Sequence, residues 1–188
     1  QPDQRITQDP SGDWAALSPQ ITVDYSPDIS PDKHIYITWY DGRRGAYDIY
    51  FTRSTNGYNL LSSELRLDTD VQGSAYSAHP IVASDGVGGV YVVWEDRRAV
   101  GNDVYANRST DWGYNWNSTD VRLDGGDAAG SSDSFGPRLV VDRESAVPAV
   151  YATWHDDRNG AKDVYMNYSL DAGASSTPRR GWPGMRLC

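Results

Sequence analysis

The chain has 188 residues and a formal net charge of −9, from 17 basic and 26 acidic side chains, a balance that repels nucleic acid and anionic membrane surfaces. No run of eighteen apolar residues is present to span a bilayer, and one cysteine, Cys188, excludes an intrachain disulfide framework. Thirteen Tyr and seven Trp against two Phe and two Met suit strands and half-buried faces better than a helical core.

The opening stretch QPDQRITQDP is polar and starts at Gln, which reads as a processed, secreted or extracellular chain. Within it QRITQDP, residues 4–10, is a copy of a phrase that returns as ELRLDTD from Glu64, as DVRLDGG from Asp120 and more faintly as MRLC from Met185. Residues 4–10 are therefore predicted to be an extra outer strand separated from its own sheet. The next strand, Gln20 to Asp24 in SPQITVD, has counterparts in HPIVASD from His79 and GPRLVVD from Gly136.

From Tyr36 the chain reads YITWYDGRRGAYDIYFTRST, which returns as YVVWEDRRAVGNDVYANRST from Tyr91 and YATWHDDRNGAKDVYMNYSL from Tyr151. Trp39, Trp94 and Trp154 stand 55 and 60 residues apart, and so do Asp48, Asp103 and Asp163. Each copy supplies a second strand ending at the Trp (Ile35–Trp39, Val90–Trp94). A third strand follows (Asp48–Arg53, Asp103–Arg108, Asp163–Tyr168). The Arg-Leu or Arg-Ile phrase forms a fourth.

Four short strands per unit, punctuated by turns and lacking a 3.6-residue apolar period, predict an all-β chain. A repeat of this length points to a β-propeller of about three four-stranded antiparallel blades. A sandwich also holds many short strands, but it has no need of the same Trp ending every second strand. The prediction is one domain over 1–188, with repeats at about 18–68, 79–124 and 136–188. Three blades do not close a ring, so either the chain is a fragment of a larger protein or like chains associate, with six blades if a homodimer closes.

Between the third and fourth strands stands STDWGYNW, with Ser109, Asp111, Gly113 and Trp116 at offsets 0, 2, 4 and 7. The weaker copies are STNGYNL from Ser54 and SLDAGASS from Ser169, which keeps Asp171 and Gly173. This motif resembles the bacterial neuraminidase repeat, or Asp-box, of sialidase-like propellers. Physically it is a turn clamp: Asp accepts backbone N–H groups, Gly permits left-handed torsions and Trp folds over an apolar surface. The resemblance implies that these hairpins face away from the usual ligand site.

Loops joining strands two and three carry W-x-D-x-R: Trp39, Asp41, Arg43; Trp94, Asp96, Arg98; Trp154, Asp156, Arg158. Three guanidinium groups on one face would suit a carboxylate or sulfate, as the arginine cluster of sialidases does. Repetition in every unit instead points to each Arg bracing its own Asp. The extra arginines Arg44 and Arg97 are then the better ligand candidates, with Trp14, Tyr40 and Tyr76 as aromatic platforms for sugar rings. The loops from strand four to the next strand one add Asp13, Asp70, His79, Asp127 and Asp133. Their acids suit calcium as oxygen ligands, but no spacing is specific, and no metal ligand set is assigned. Three scattered histidines suggest no zinc cluster.

Sialidases use a tyrosine nucleophile with a Glu, and other glycosidases two acidic groups. Glu64, Glu95 and Glu144 are the only glutamates. Glu95 and His155 differ from their repeat counterparts, with Tyr40 at the third such place, and are the catalytic candidates, neither with an identifiable partner. No F/Y-R-I-P phrase opens the first unit and no arginine triad can be assigned, so the chain departs from the sialidase pattern. Three readings follow. The leading one is a secreted, non-catalytic sialidase-like module that binds glycan or assembles with like chains. A glycoside hydrolase related to exo-sialidases, as a fragment or dimer, is the second. A filament or surface-layer subunit is the third, motivated by the unpaired terminal strands and Cys188; the RRGWPGMRLC tail reads as a docking segment or as the last unit's final hairpin, and the register of MRLC favours the hairpin. The sequons at Asn107, Asn117 and Asn167 would matter only in a glycosylating pathway, and two of them recur with the repeat.

Overall fold

The computed structural model describes residues 3–10, 14–26, 30–57, 62–144 and 146–174. Eleven strands run through these residues: β1 Ala16–Ser26, β2 Ser30–Asp41, β3 Asp48–Ser54, β4 Leu65–Arg66, β5 Ser77–Ser84, β6 Val90–Asp96, β7 Asp103–Ser109, β8 Val121–Arg122, β9 Ser134–Asp142, β10 Ala149–Asp156 and β11 Asp163–Ser169. They form three antiparallel sheets in the orders β1-β2-β3-β4, β5-β6-β7-β8 and β9-β10-β11. The all-β prediction of repeated blade-like sheets therefore holds, in sheets of four, four and three strands. A closed ring is not a property of this single chain. The expected fourth strand of the third sheet, MRLC, lies outside the described residues, as do Asp13, Cys188 and the RRGWPGMRLC tail. Residues 4–10, expected as an outer strand, pair with no strand among the described residues.

One register runs through all three sheets. Asp41 faces Asp48, Asp96 faces Asp103 and Asp156 faces Asp163 at the closed end of the second hairpin. The middle sheet is buried on both faces, so β6 reads as an unbroken apolar run, Val90 to Trp94, rather than an alternation. Val90, Val92 and Trp94 pack towards the first sheet against Tyr36, Ile49 and Phe51. Val93 and Val104 pack towards the third, against Ala152 and Trp154. The fully buried indole of Trp94 contributes about 2–3 kcal/mol by removing its surface from water.

The first strands of the three sheets, β1, β5 and β9, share a bulge. Register slips between Leu17 and Gln20, between Ala78 and Ile81, and opposite Thr153 to His155. Each slip carries a residue-proline pair, and the residue before proline has positive φ: Ser18 at 47°, His79 at 51° and Gly136 at 64°. An extra residue there re-aims the neighbouring side chains.

Between sheets, polar latches also recur. The Asn107 side chain donates to the Leu67 carbonyl of the first sheet's end at 3.4 Å, and Asn167 donates to the Leu123 carbonyl at 2.9 Å. Arg53 reaches across to the Trp112 carbonyl at 3.0 Å, and Arg108 to that of Ala172.

Candidate functional site

The connections after β2, β6 and β10 meet the connections leading into β5 and β9 on one face. Ala46 N–H donates to the Gly73 carbonyl, Arg97 N–H to that of Tyr76, and Gly101 N–H to that of Gly130. All the W-x-D-x-R loops belong to this face. In the second unit the Arg98 Nε and Nη2 atoms donate to the two oxygens of Asp96 at 2.9 and 2.7 Å, and the Trp94 indole donates to Oδ2 at 2.9 Å. Burial alone would raise the Asp96 carboxyl, but the bonds from Arg98 and Trp94 outweigh it and hold the group below its ordinary value. Arg158 does the same to Asp156. Arg43 grips Asp41 and Glu64. Each of the three guanidinium groups also lies over a ring of the third strand: Arg43 over Tyr50, Arg98 over Tyr105, Arg158 over Tyr165. Each repeated arginine is thus held by the aspartate of its own loop, and Arg158 also reaches the Asp124 carbonyl of the second unit at 3.2 Å.

The Ser-Asp-Gly hairpins stand at the other end of the strands. Ser109 Oγ bonds Asp111 Oδ1 at 2.7 Å, Gly113 N–H donates to Ser109 Oγ at 2.9 Å, and Asn115 N–H donates to Asp111 Oδ1 at 2.8 Å. Gly113 holds φ 77°, and the Trp116 ring packs edge-on to Phe51 at 4.9 Å. Ser169, Asp171 and Gly173 repeat the bonds; the position matching Trp116 lies outside the described residues.

Of the residues singled out for binding, Trp14 and Arg44 come together. Both are exposed, Trp14 at 54%, and they line one open cleft of about 440 Å³ with Gln8, Asp9, Pro10, Arg43 and Glu64. The Arg44 guanidinium has no ion pair or hydrogen bond to the described residues, whereas Arg97 is tied to Asn102 at 2.7 Å and lies apart.

Tyr40 departs from its expected role as a sugar platform. It is buried, because the position after Trp39 points into the seam between the first two sheets. Its ring meets Tyr47 edge-on at 5.1 Å, His79 edge-on at 5.5 Å and Tyr76 at 6.4 Å. Tyr76 is half-buried; burial first, then Tyr40 and Glu95, push its hydroxyl above the ordinary tyrosine value.

Glu95 does have a partner, contrary to expectation from sequence. Its Oε2 lies 3.2 Å from His79 Nδ1, and its Oε1 accepts the Gly136 N–H at 2.8 Å. Gly136 in turn lies against the His155 ring, which tilts over Phe135 at 6.2 Å. The three positions where the repeats diverge, Tyr40, Glu95 and His155, therefore stand on β2, β6 and β10 opposite the bulged strands, with His79 between the first two and Gly136 between the last two. Sequence reasoning missed the His79–Glu95 pair, although the shared residue-proline step marks the bulge that creates it.

Oxygen ligands for a cation also converge. One carboxylate atom each from Asp48, Asp68 and Asp70 lies within 4.8 Å of the others. The Arg66 guanidinium already reaches all three, and Arg122 occupies the same place among Asp103, Asp124 and Asp127.

No family model matches the chain, and no curated protein matches it. Among solved structures it is similar to the Hadza microbial sialidase Hz136, with a TM-score of 0.55 at 14% identity, covering 76% of this chain and 34% of that one. It is also similar to a GH62 hydrolase in complex with xylotriose, at a TM-score of 0.49 and 15% identity, over 85% of this chain and 48% of that one. The fold is of the propeller type. The chain spans about a third of the sialidase's length and about half of the hydrolase's, and at this identity the likeness describes the propeller architecture alone.

Proposed function

We propose that this chain is an extracellular, sialidase-like propeller module that binds an acidic glycan in the cleft between Trp14 and Arg44. One observation carries the reading: an exposed indole and a guanidinium with no partner among the described residues share one open cleft, while every repeated arginine is already held by its own acid. An indole face stacks on the apolar side of a sugar ring, and a guanidinium takes a carboxylate or sulfate in two parallel bonds. Gln8, Asp9 and Glu64 supply hydrogen-bonding groups around them. The test is titration of the chain with carboxylated, sulfated and neutral oligosaccharides. Arg44→Ala should weaken binding of the acidic ligands roughly tenfold and leave neutral ones unchanged, and Trp14→Ala should weaken all of them. Equal binding of neutral and acidic sugars by the Arg44 variant and the parent would refute the assignment.

A second reading, glycoside hydrolysis, is favoured by the approach of Glu95, His79, Tyr40 and Tyr76 to one another. Turnover of a fluorogenic sialoside that Glu95→Gln abolishes would support it, and the absence of turnover across many glycosides would remove it. Calcium enters the proposal as a structural ion at Asp48, Asp68 and Asp70, where it would have to displace Arg66.

A further inference from the structure

The chain uses one pair of surfaces twice. Ile49 and Phe51 of β3 face forward into the first seam, where Val82 of β5 faces back. Val104 and Ala106 of β7 face forward into the second. In the third sheet the forward positions are Val164 and Met166, 73% and 59% exposed; in the first sheet the position matching Val82 is Ile21, 65% exposed. A surface pattern that is buried twice stands open at both ends.

Charge follows the same rule. The arginine of each short fourth strand holds the first carboxylate of its third strand: Arg66 to Asp48 at 3.2 Å, Arg122 to Asp103 at 2.9 Å. The third such carboxylate, Asp163, is exposed and has no ion-pair partner among the described residues. A further copy of the arginine exists in Arg5, whose side chain is 47% exposed and pairs with Asp9 at 3.0 Å, as Arg66 pairs with Asp70.

Residues 4–10 also sit on the first sheet as a fourth strand sits on the next. Gln8 N–H donates to Glu64 at 2.7 Å, as Thr69 N–H donates to Asp120 at 2.8 Å. The phrase of a fourth strand thus lies against the first sheet, with no sheet of its own beside it among the described residues.

The geometry points to head-to-tail docking of a second copy of this chain, whose third sheet seats on the first sheet here. Residues 4–10 run beside β11 of that copy, and Arg5 takes its Asp163 carboxylate. Made twice about a twofold axis, this contact closes six sheets. It stands independently of the glycan reading.

Light scattering on the intact chain tests it. The parent should have twice the mass of one chain. Arg5→Glu and Asp163→Arg should each weaken the dimer about tenfold, and the two together should restore it. Met166→Asp, at an exposed position, should give a monomer with an unchanged circular dichroism spectrum. A parent that stays monomeric at every concentration overturns the proposal. So does an Arg5→Glu variant with unaltered mass, which would assign the fourth strand of the third sheet to residues 185–188, or a double variant no better than the singles.

Discussion

His79 holds a backbone conformation that costs an ordinary residue about 1 kcal/mol or more, at φ 51°. Its counterpart Gly136 adopts the same turn without that cost, so nothing in the backbone asks for histidine. What the side chain adds is the 3.2 Å contact to Glu95 and the edge against Tyr40. With half of the side chain in water, that contact stabilises little. His79→Gly should therefore leave the melting temperature equal or higher, by up to about 1 kcal/mol of added stability. A denaturant titration measures this, and a marked loss would mean that the Glu95 contact outweighs the strain. The pairing was out of reach of the sequence because the two residues lie on adjacent strands whose register the bulge displaces.

At the scale of elements, the fourth strands are brackets more than strands. Only two residues of each are laddered, Leu65–Arg66 and Val121–Arg122; Leu67 and Leu123 add one N–H bond each to Ile49 and Val104 and pack into the seams, and the rest of the phrase places carboxylates around an arginine. Burial first, then the neighbouring acids, push Asp68 and Asp70 up to about 6 even beside Arg66. A carboxyl raised from its unfolded value near 4 favours folding most when protonated, so its contribution is full below about pH 4 and is lost as pH rises through about 6. Asp96, Asp111 and Asp127 are held low, by partners that outweigh their burial, and their contribution fades instead as pH falls below about 4. The melting temperature should accordingly peak between about pH 4 and 6 and decline towards neutrality. Asp70→Asn should flatten the decline on the neutral side, which a thermal scan against pH will show; a steady rise to pH 8 would contradict this account.

The second strands were legible because they are apolar, β-branched and aromatic runs closed by Trp, and the third because each opens on the repeated Asp-Ile-Tyr or Asp-Val-Tyr step. The first strands proved longer than Gln20 to Asp24 implied, since Ala16 and Leu17 rejoin the ladder beyond the bulge. In the site, Trp14 and Arg44 could be picked as individual residues, but only folding brings residues 30 positions apart to one cleft.

Across the whole molecule the two seams are alike in design and unequal in filling. Phe51 and Trp116 close the first. In the second, Ala106 stands where Phe51 does, and a pocket of about 100 Å³, partly open to solvent, remains between Leu123, Leu139 and Ala152 on one side and Asn107, Arg108 and Asn167 on the other. Enlarging Ala106 should fill part of it: Ala106→Leu is expected to stabilise the chain by about 1–2 kcal/mol, read as a higher denaturant midpoint with an unchanged slope. A loss of stability would show that the space is closed to a branched side chain.

The asparagine latches have a practical consequence for producing the protein. Asn107 is buried, and its amide hydrogens are already given to the Leu67 and Asn117 carbonyls and to Asp120. An oligosaccharide joined to that nitrogen during synthesis would remove a donor and wedge a bulky, hydrated group into the joint before the neighbouring sheets could meet. A eukaryotic secretory host that decorates this triplet would therefore yield chains that cannot close, whereas a bacterial host or a Ser109→Ala change would spare the joint, the latter at the expense of the hairpin that Ser109 ties.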